Sequence, residues 1–92
     1  MGECVATNKI LFNGEPIRFM TRQEPVDSTD TGWYFFSGTE DQEYLNDPAN
    51  ALVCDITEIE ELDNTVSAYL HYPLWTELER VNNSPYFQVI PG

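Results

Sequence analysis

An α+β fold on a mainly antiparallel sheet, with two or three short helices in a single domain spanning residues 1–92, is what this sequence predicts. Three observations carry that reading. Short runs of strand-forming residues open and close the chain, and helix-start signals follow the third and fourth of those runs. The pieces without a strand of their own are short, which leaves little room for a parallel crossover of a dozen or more residues.

Residues Cys4 to Thr7 read as a first strand. Asn8 to Phe12 and Pro16 to Arg22 follow as the arms of a hairpin around Asn13-Gly14, where both residues tolerate positive φ. In the second arm Ile17, Phe19 and Thr21 alternate with Arg18, Met20 and Arg22, so the first set should form an apolar face and the second a wetted one. Glu24 to Thr31 is polar and rich in turn formers, as a surface loop would be. Trp33-Tyr34-Phe35-Phe36, bounded by Gly32 and Gly38, is a short buried strand. Trp33 and Phe35 would share one face and Tyr34 and Phe36 the other, as in a central strand covered on both sides.

Thr39 and Gln42 then fit a capping box, with Glu40, Asp41 and Glu43 in the first turn of a short helix, where the peptide dipoles favour carboxylates. Tyr44 and Leu45 supply its apolar side. Asp47-Pro48 ends it, because the residue before proline is pushed out of the helical region. Ala51 to Ile56 is the next strand. Thr57 and Glu60 make a second capping-box match for a helix over Glu58 to Leu62, whose Ile59 and Leu62 share a side. Asn64 or Thr65 caps another through Val66, Tyr69 and Leu70, stopped at Tyr72-Pro73. Leu74 to Val81 and Tyr86 to Ile90 form a terminal hairpin, with Thr76, Leu78 and Arg80 on one face of its first arm.

Sixteen acids stand against four Lys and Arg, for a formal charge of −12. That balance argues against a nucleic-acid ligand, since duplex affinity comes largely from Lys and Arg neutralising phosphates. Its electrostatic complement is a basic protein; the bland reading is a domain kept soluble, monomeric or at most weakly dimeric. The N-terminal MGECVATNK lacks a basic n-region and an apolar h-region, and no apolar run reaches membrane-spanning length. A cytoplasmic protein without membrane association, its Cys4 and Cys54 reduced and buried as small hydrophobes, is therefore expected.

No cofactor or metal is expected either. The acids lack the spacing of a calcium loop, and Cys4, Cys54 and the single His71 fall short of the four ligands of a structural zinc site. Asp41, Glu43 and His71 could do acid–base work, but no nucleophile motif or phosphate loop accompanies them, so no catalytic residues are assigned.

Gly32-Trp33, Phe35-Phe36-Ser37-Gly38, Glu40-Asp41, Glu43-Tyr44-Leu45, Asp47-Pro48 and Asn50 closely resemble the central signature of the immunity protein 33-like family, small bacterial domains of unknown function. Phe19-Met20, Arg22 and Glu24-Pro25 are similar to the family's N-terminal part and Leu78-Glu79-Arg80 to its closing strand, so the resemblance spans nearly the whole chain. It implies a role inferred from genome context, the neutralisation of toxins of polymorphic secretion systems. Two departures stand out. Thr39 occupies a place where the family usually has another acid, and Leu74-Trp75 one where a small residue, often glycine, follows the proline, which suggests an exposed Trp75.

Two readings of the signature follow. In one, Glu40, Asp41, Glu43 and Asp47, with Trp33 or Trp75, form a surface that occludes a basic toxin. In the other, Gly32, Phe35, Gly38, Tyr44, Pro48 and Arg80 hold the fold of a housekeeping domain together, with Arg80 paired to Glu40 or Asp41.

Overall fold

Residues 2–91 are described by a computed structural model of the chain. Six strands, β1 (Glu3–Thr7), β2 (Phe19–Arg22), β3 (Asp30–Phe36), β4 (Ala51–Asp55), β5 (Glu77–Arg80) and β6 (Phe87–Val89), make one sheet in the order β4-β1-β3-β2-β5-β6. Three α-helices accompany them, α1 (Asn8–Leu11), α2 (Gln42–Asn46) and α3 (Ile56–Leu62), with 3-10 segments at Pro48–Asn50 and Asn64–Tyr69. The α+β class is as expected, but the sheet is mixed. β1 runs parallel to β3, while every other neighbouring pair is antiparallel. The connection between the parallel pair carries α1 and then β2, which crosses to the far side of β3. A crossover thus fits here by using a strand as part of its length.

The Asn13-Gly14 hairpin is corrected. Asn8–Leu11 is helical, and Gly14, at φ 70°, turns the chain after it while the Glu15 amide reaches the Lys9 carbonyl at 3.0 Å. Positive φ serves a helix stop as well as a hairpin, so the dipeptide alone does not separate the two. Four residues of helix bury Ile10 and leave Phe12 in solvent.

Faces of β2 are also reversed. Met20 pairs with Phe35 and Leu78, all fully buried, and Arg22 pairs with Trp33 on the same side, whereas Phe19 and Thr21 are half-buried on the other. Arg22 tolerates that side because carbonyls of Thr31 and Tyr72 accept from it at 2.9 and 2.8 Å, with its guanidinium over the Trp33 ring. A one-residue change of parity moves every side chain across the sheet.

Trp33 and Phe35 share the inner face of β3 as predicted. Tyr34 and Phe36 are only half-buried, so the opposite face is not fully covered. Gly32 is obligatory at φ 83°: a Cβ there would lie 2.0 Å from the Gln23 carbonyl oxygen. On the inner face Cys4, Ala6, Met20, Trp33, Phe35 and Leu78 pack with Ile10, Ile56, Ile59 and Val66 from the helical segments. Burial of such side chains is the main source of stability in a domain of this size.

Helix starts lie one or two residues from their expected places. Asp55, not Thr57, caps α3, in a reciprocal box with Glu58, and Asp63 caps the 3-10 helix through the Thr65 amide at 3.1 Å. Ile56 then joins Ile59 inside, and Leu62 is left 57% exposed. The terminal hairpin is found, with Leu78 buried between β2 and β6, but its first arm begins at Glu77 rather than Leu74 because the chain turns at Trp75, φ 73°.

Candidate functional site

The acidic stretch after β3 begins at a tight loop. Gly38, at φ 89°, passes so close to Arg18 that a Cβ would lie 2.7 Å from its side chain. Glu40 folds back into this loop, accepting from the Thr7 hydroxyl, from the Ser37 amide at 2.9 Å and from the Gly38 amide at 2.9 Å. Partial burial opposes its ionisation, but the Thr7 and Ser37 donors outweigh that, and the carboxyl sits below its ordinary range. Glu40 is therefore the pin between β1 and the β3–α2 loop. The first-turn place expected for it is not found.

Asp41, rather than Thr39, caps α2, accepting from the Tyr44 amide at 2.8 Å. Thr39 bonds the Ser37 hydroxyl and Glu15 instead. Glu43 lies in the first turn, exposed, with its carboxylate free to meet solvent. Asp47 ends α2 and caps Pro48–Asn50 through the Ala49 amide at 2.9 Å, with Pro48 at the first position. Tyr44 is covered by the Lys9 ammonium, 5.1 Å from the ring centroid, and its carbonyl accepts from Asn50. Asp41, Glu43, Tyr44 and Asp47 line one shallow concavity with Lys9 and Asn50.

The two tryptophans part company. Trp33 is 1% exposed, its indole N–H donating to the Leu70 carbonyl at 3.0 Å, so it presents no surface to a partner. Trp75 is 67% exposed and holds φ 73°, a left-handed conformation that favours glycine.

Arg80 does not reach Glu40 or Asp41. It faces inward beside Leu78, where Asp63 arrives from the junction of α3 and the 3-10 helix, and the two form an ion pair. Its guanidinium also donates to the Ile17 carbonyl at 2.8 Å and the Ser84 carbonyl at 3.0 Å, and lies over the Phe87 ring. The β5 strand sits two places from β3 in the sheet, and its inner face looks toward the α3 junction.

All four basic side chains are engaged inside the chain. Lys9 donates to the Thr39 carbonyl, Arg18 pairs with Glu79, Arg22 holds three carbonyls and Arg80 holds Asp63. Among the described residues only Glu79 and Asp63 form ion pairs with Lys or Arg, which leaves the other carboxylates without such a partner. Composition told the imbalance, but the folding of each cation back onto the chain had no sequence signal.

Sequence reasoning also missed that Cys4 and Cys54 are directly opposed across β1 and β4, with sulfurs 3.7 Å apart. The hydrogen bond shared with Cys54, together with burial, pushes the Cys4 thiol up, and the same bond lowers Cys54. They lie fifty positions apart in the chain, and only strand pairing brings them together. No group of three His, Cys, Asp or Glu among the described residues is arranged to hold a metal ion. No helix among them is long and apolar enough to cross a membrane.

A small mixed sheet with short helices, cations folded back onto the chain and an acidic, capped loop define the site. Residues 4–90 match the family described as Immunity protein Imm33 domain, and the chain belongs to that family. No curated protein and no solved structure is similar to the chain at a significant level.

Proposed function

We propose that the protein neutralises a toxin with a basic surface by binding and occluding it, without catalysis. Immunity-family membership supports the kind of partner. The observation that carries its basic character is the charge balance, sixteen acids against four Lys and Arg, with only Asp63 and Glu79 among the described residues paired to one of those cations, so the outward field is predominantly negative. Such a field accelerates encounter with a cationic partner and weakens with salt. Asp41, Glu43 and Asp47 form the steering surface and Trp75 is the exposed aromatic near which contact would be firm, whereas Glu40 acts by holding the loop that presents them. The protein acts in the cytoplasm as a monomer or at most a weak dimer.

The test is protection of cells expressing a candidate toxin with a basic surface, with wild type and Asp41→Asn/Glu43→Gln/Asp47→Asn. Asparagine keeps the cap acceptor while removing charge, so the variant should fold. Loss of protection, with binding that falls steeply between low and high salt, is the expected result. Undiminished protection would remove this surface from the reading.

One observation favours the alternative, a housekeeping domain whose signature is structural. Gly32, Phe35, Gly38, Glu40, Tyr44 and Asp47 each have an internal packing, backbone or capping role. Folded wild-type protein that protects against no candidate toxin would select it.

A further inference from the structure

The two edges of the sheet are treated differently. β6 is three residues long and flanked by Pro85 and Pro91, which cannot donate to a ladder. β4 is five residues, Ala51–Asp55, with no proline, lysine or arginine, and its Leu52 and Val53 are 41% and 64% exposed. An edge strand carries backbone N–H and C=O groups that point away from its single neighbour, here β1. Beside it Phe12 and Leu62 are exposed, and together with Leu11, Leu52 and Cys54 they line a shallow depression bordered by Glu58 and Glu61. The unguarded edge and the uncovered apolar patch therefore coincide.

Charge decides what fits. Asp55, Glu58 and Glu61 are exposed there, no basic residue of this chain lines the depression, and a second copy would bring the same carboxylates against one another. Glu58 and Glu61, three apart on α3, lie about 5–6 Å from each other at Cβ. Same-face side chains of an extended strand repeat at about 7 Å. A strand laid along β4 could therefore place successive Lys or Arg heads near both, their aliphatic stems covering Phe12 and Leu62. Residues of the opposite parity would lie beside Val53.

We infer that the β4 edge takes up an extended segment of a cationic protein partner, alternating Lys or Arg with apolar residues, as an added strand of the sheet. This rests on the reading of a basic protein partner and gives it a docking mode. Asn50, which lines the α2 concavity, is followed in the chain by Ala51, the first residue of β4, so the steering acids lead directly into the edge strand.

The experiment is an NMR titration of the full chain with a short synthetic peptide of alternating lysine and valine, beside a peptide of equal charge interrupted by proline. The uninterrupted peptide should shift and protect amides of Leu52 to Asp55, slow alkylation of Cys54, and bind about tenfold more tightly than the interrupted one. Val53→Lys, a substitution at an exposed site, should weaken it to the level of the interrupted peptide. Equal affinity for both peptides, shifts centred on Gln42 to Asn46, absence of binding, or a concentration-dependent dimer that shields Cys54 without peptide would each overturn the proposal. Failure of toxin neutralisation shows instead in the protection assay: a Val53→Lys variant that still protects leaves that function standing and refutes the edge.

Discussion

Arg80→Ala is the substitution whose effect follows most directly from the geometry. The Arg80 side chain is 16% exposed and that of Asp63 22%, so their ion pair is largely shielded from water. Truncation leaves Asp63 without its cation and the Ile17 and Ser84 carbonyls without a donor. Breaking a fully buried pair costs about 3–5 kcal/mol and losing an ordinary hydrogen bond about 1 kcal/mol. Water still reaches part of Asp63, which discounts the first figure, and the total should be about 3 kcal/mol. For a domain of this length that is a fall in Tm of roughly 12–24 °C. Arg18→Ala is the internal control: its pair with Glu79 is 49% and 29% exposed and should contribute about 0–1 kcal/mol. Urea unfolding of both variants, with Asp63→Ala and the double variant to isolate the coupling, decides it. Equal losses for Arg80→Ala and Arg18→Ala would refute the claim that Arg80 ties the terminal hairpin to the α3 junction.

Three other outcomes are expected. Because the folded-state pKa of Glu40 is depressed below its ordinary value of 4.5, its contribution is present above that value and is lost as pH falls through the folded one; Glu40→Gln should flatten the acid limb of a stability–pH curve below about pH 4.5 and leave its shape near neutrality unchanged. A mild thiol oxidant should join Cys4 to Cys54 within one chain, since directly opposed antiparallel residues have Cα separations within disulfide range. Mass spectrometry should find a monomer lacking two hydrogens, and Tm should rise on the order of 10 °C because a long loop is closed; Cys54→Ser should abolish both changes. Trp75→Gly, which relieves φ 73° at an exposed site, should raise stability by up to about 1 kcal/mol in chemical unfolding, and should reduce toxin affinity if the indole is a contact.

Legibility from sequence varied with the range of the interaction. The aromatic strand, the stop at Asp47-Pro48 and the terminal hairpin were readable because their signals lie within a few residues of their effects. Caps were located to within two residues, at Asp41 for Thr39 and Asp55 for Thr57, because several polar residues in a row can each accept a helix amide. The Asn8–Phe12 segment was misread since Asn13-Gly14 stops helices and turns hairpins with the same backbone conformation. Of the candidate surface, Glu43 and Trp75 are exposed and Asp41 and Asp47 keep exposed carboxylates while capping, but Glu40 and Trp33 point inward for reasons found only across the sheet.

Sequence alone determined the class of fold, the acidic character and the family signature, because periodicity, turn residues and net charge are local or additive properties of the chain. Tertiary structure decided which strand faces are buried, that β1 and β3 run parallel, that Arg80 holds Asp63, that the two thiols meet and that β4 is an open edge. Each of those depends on which distant segments share a sheet edge or a face, and that pairing is selected by the packing of the whole core rather than by any stretch of residues within it.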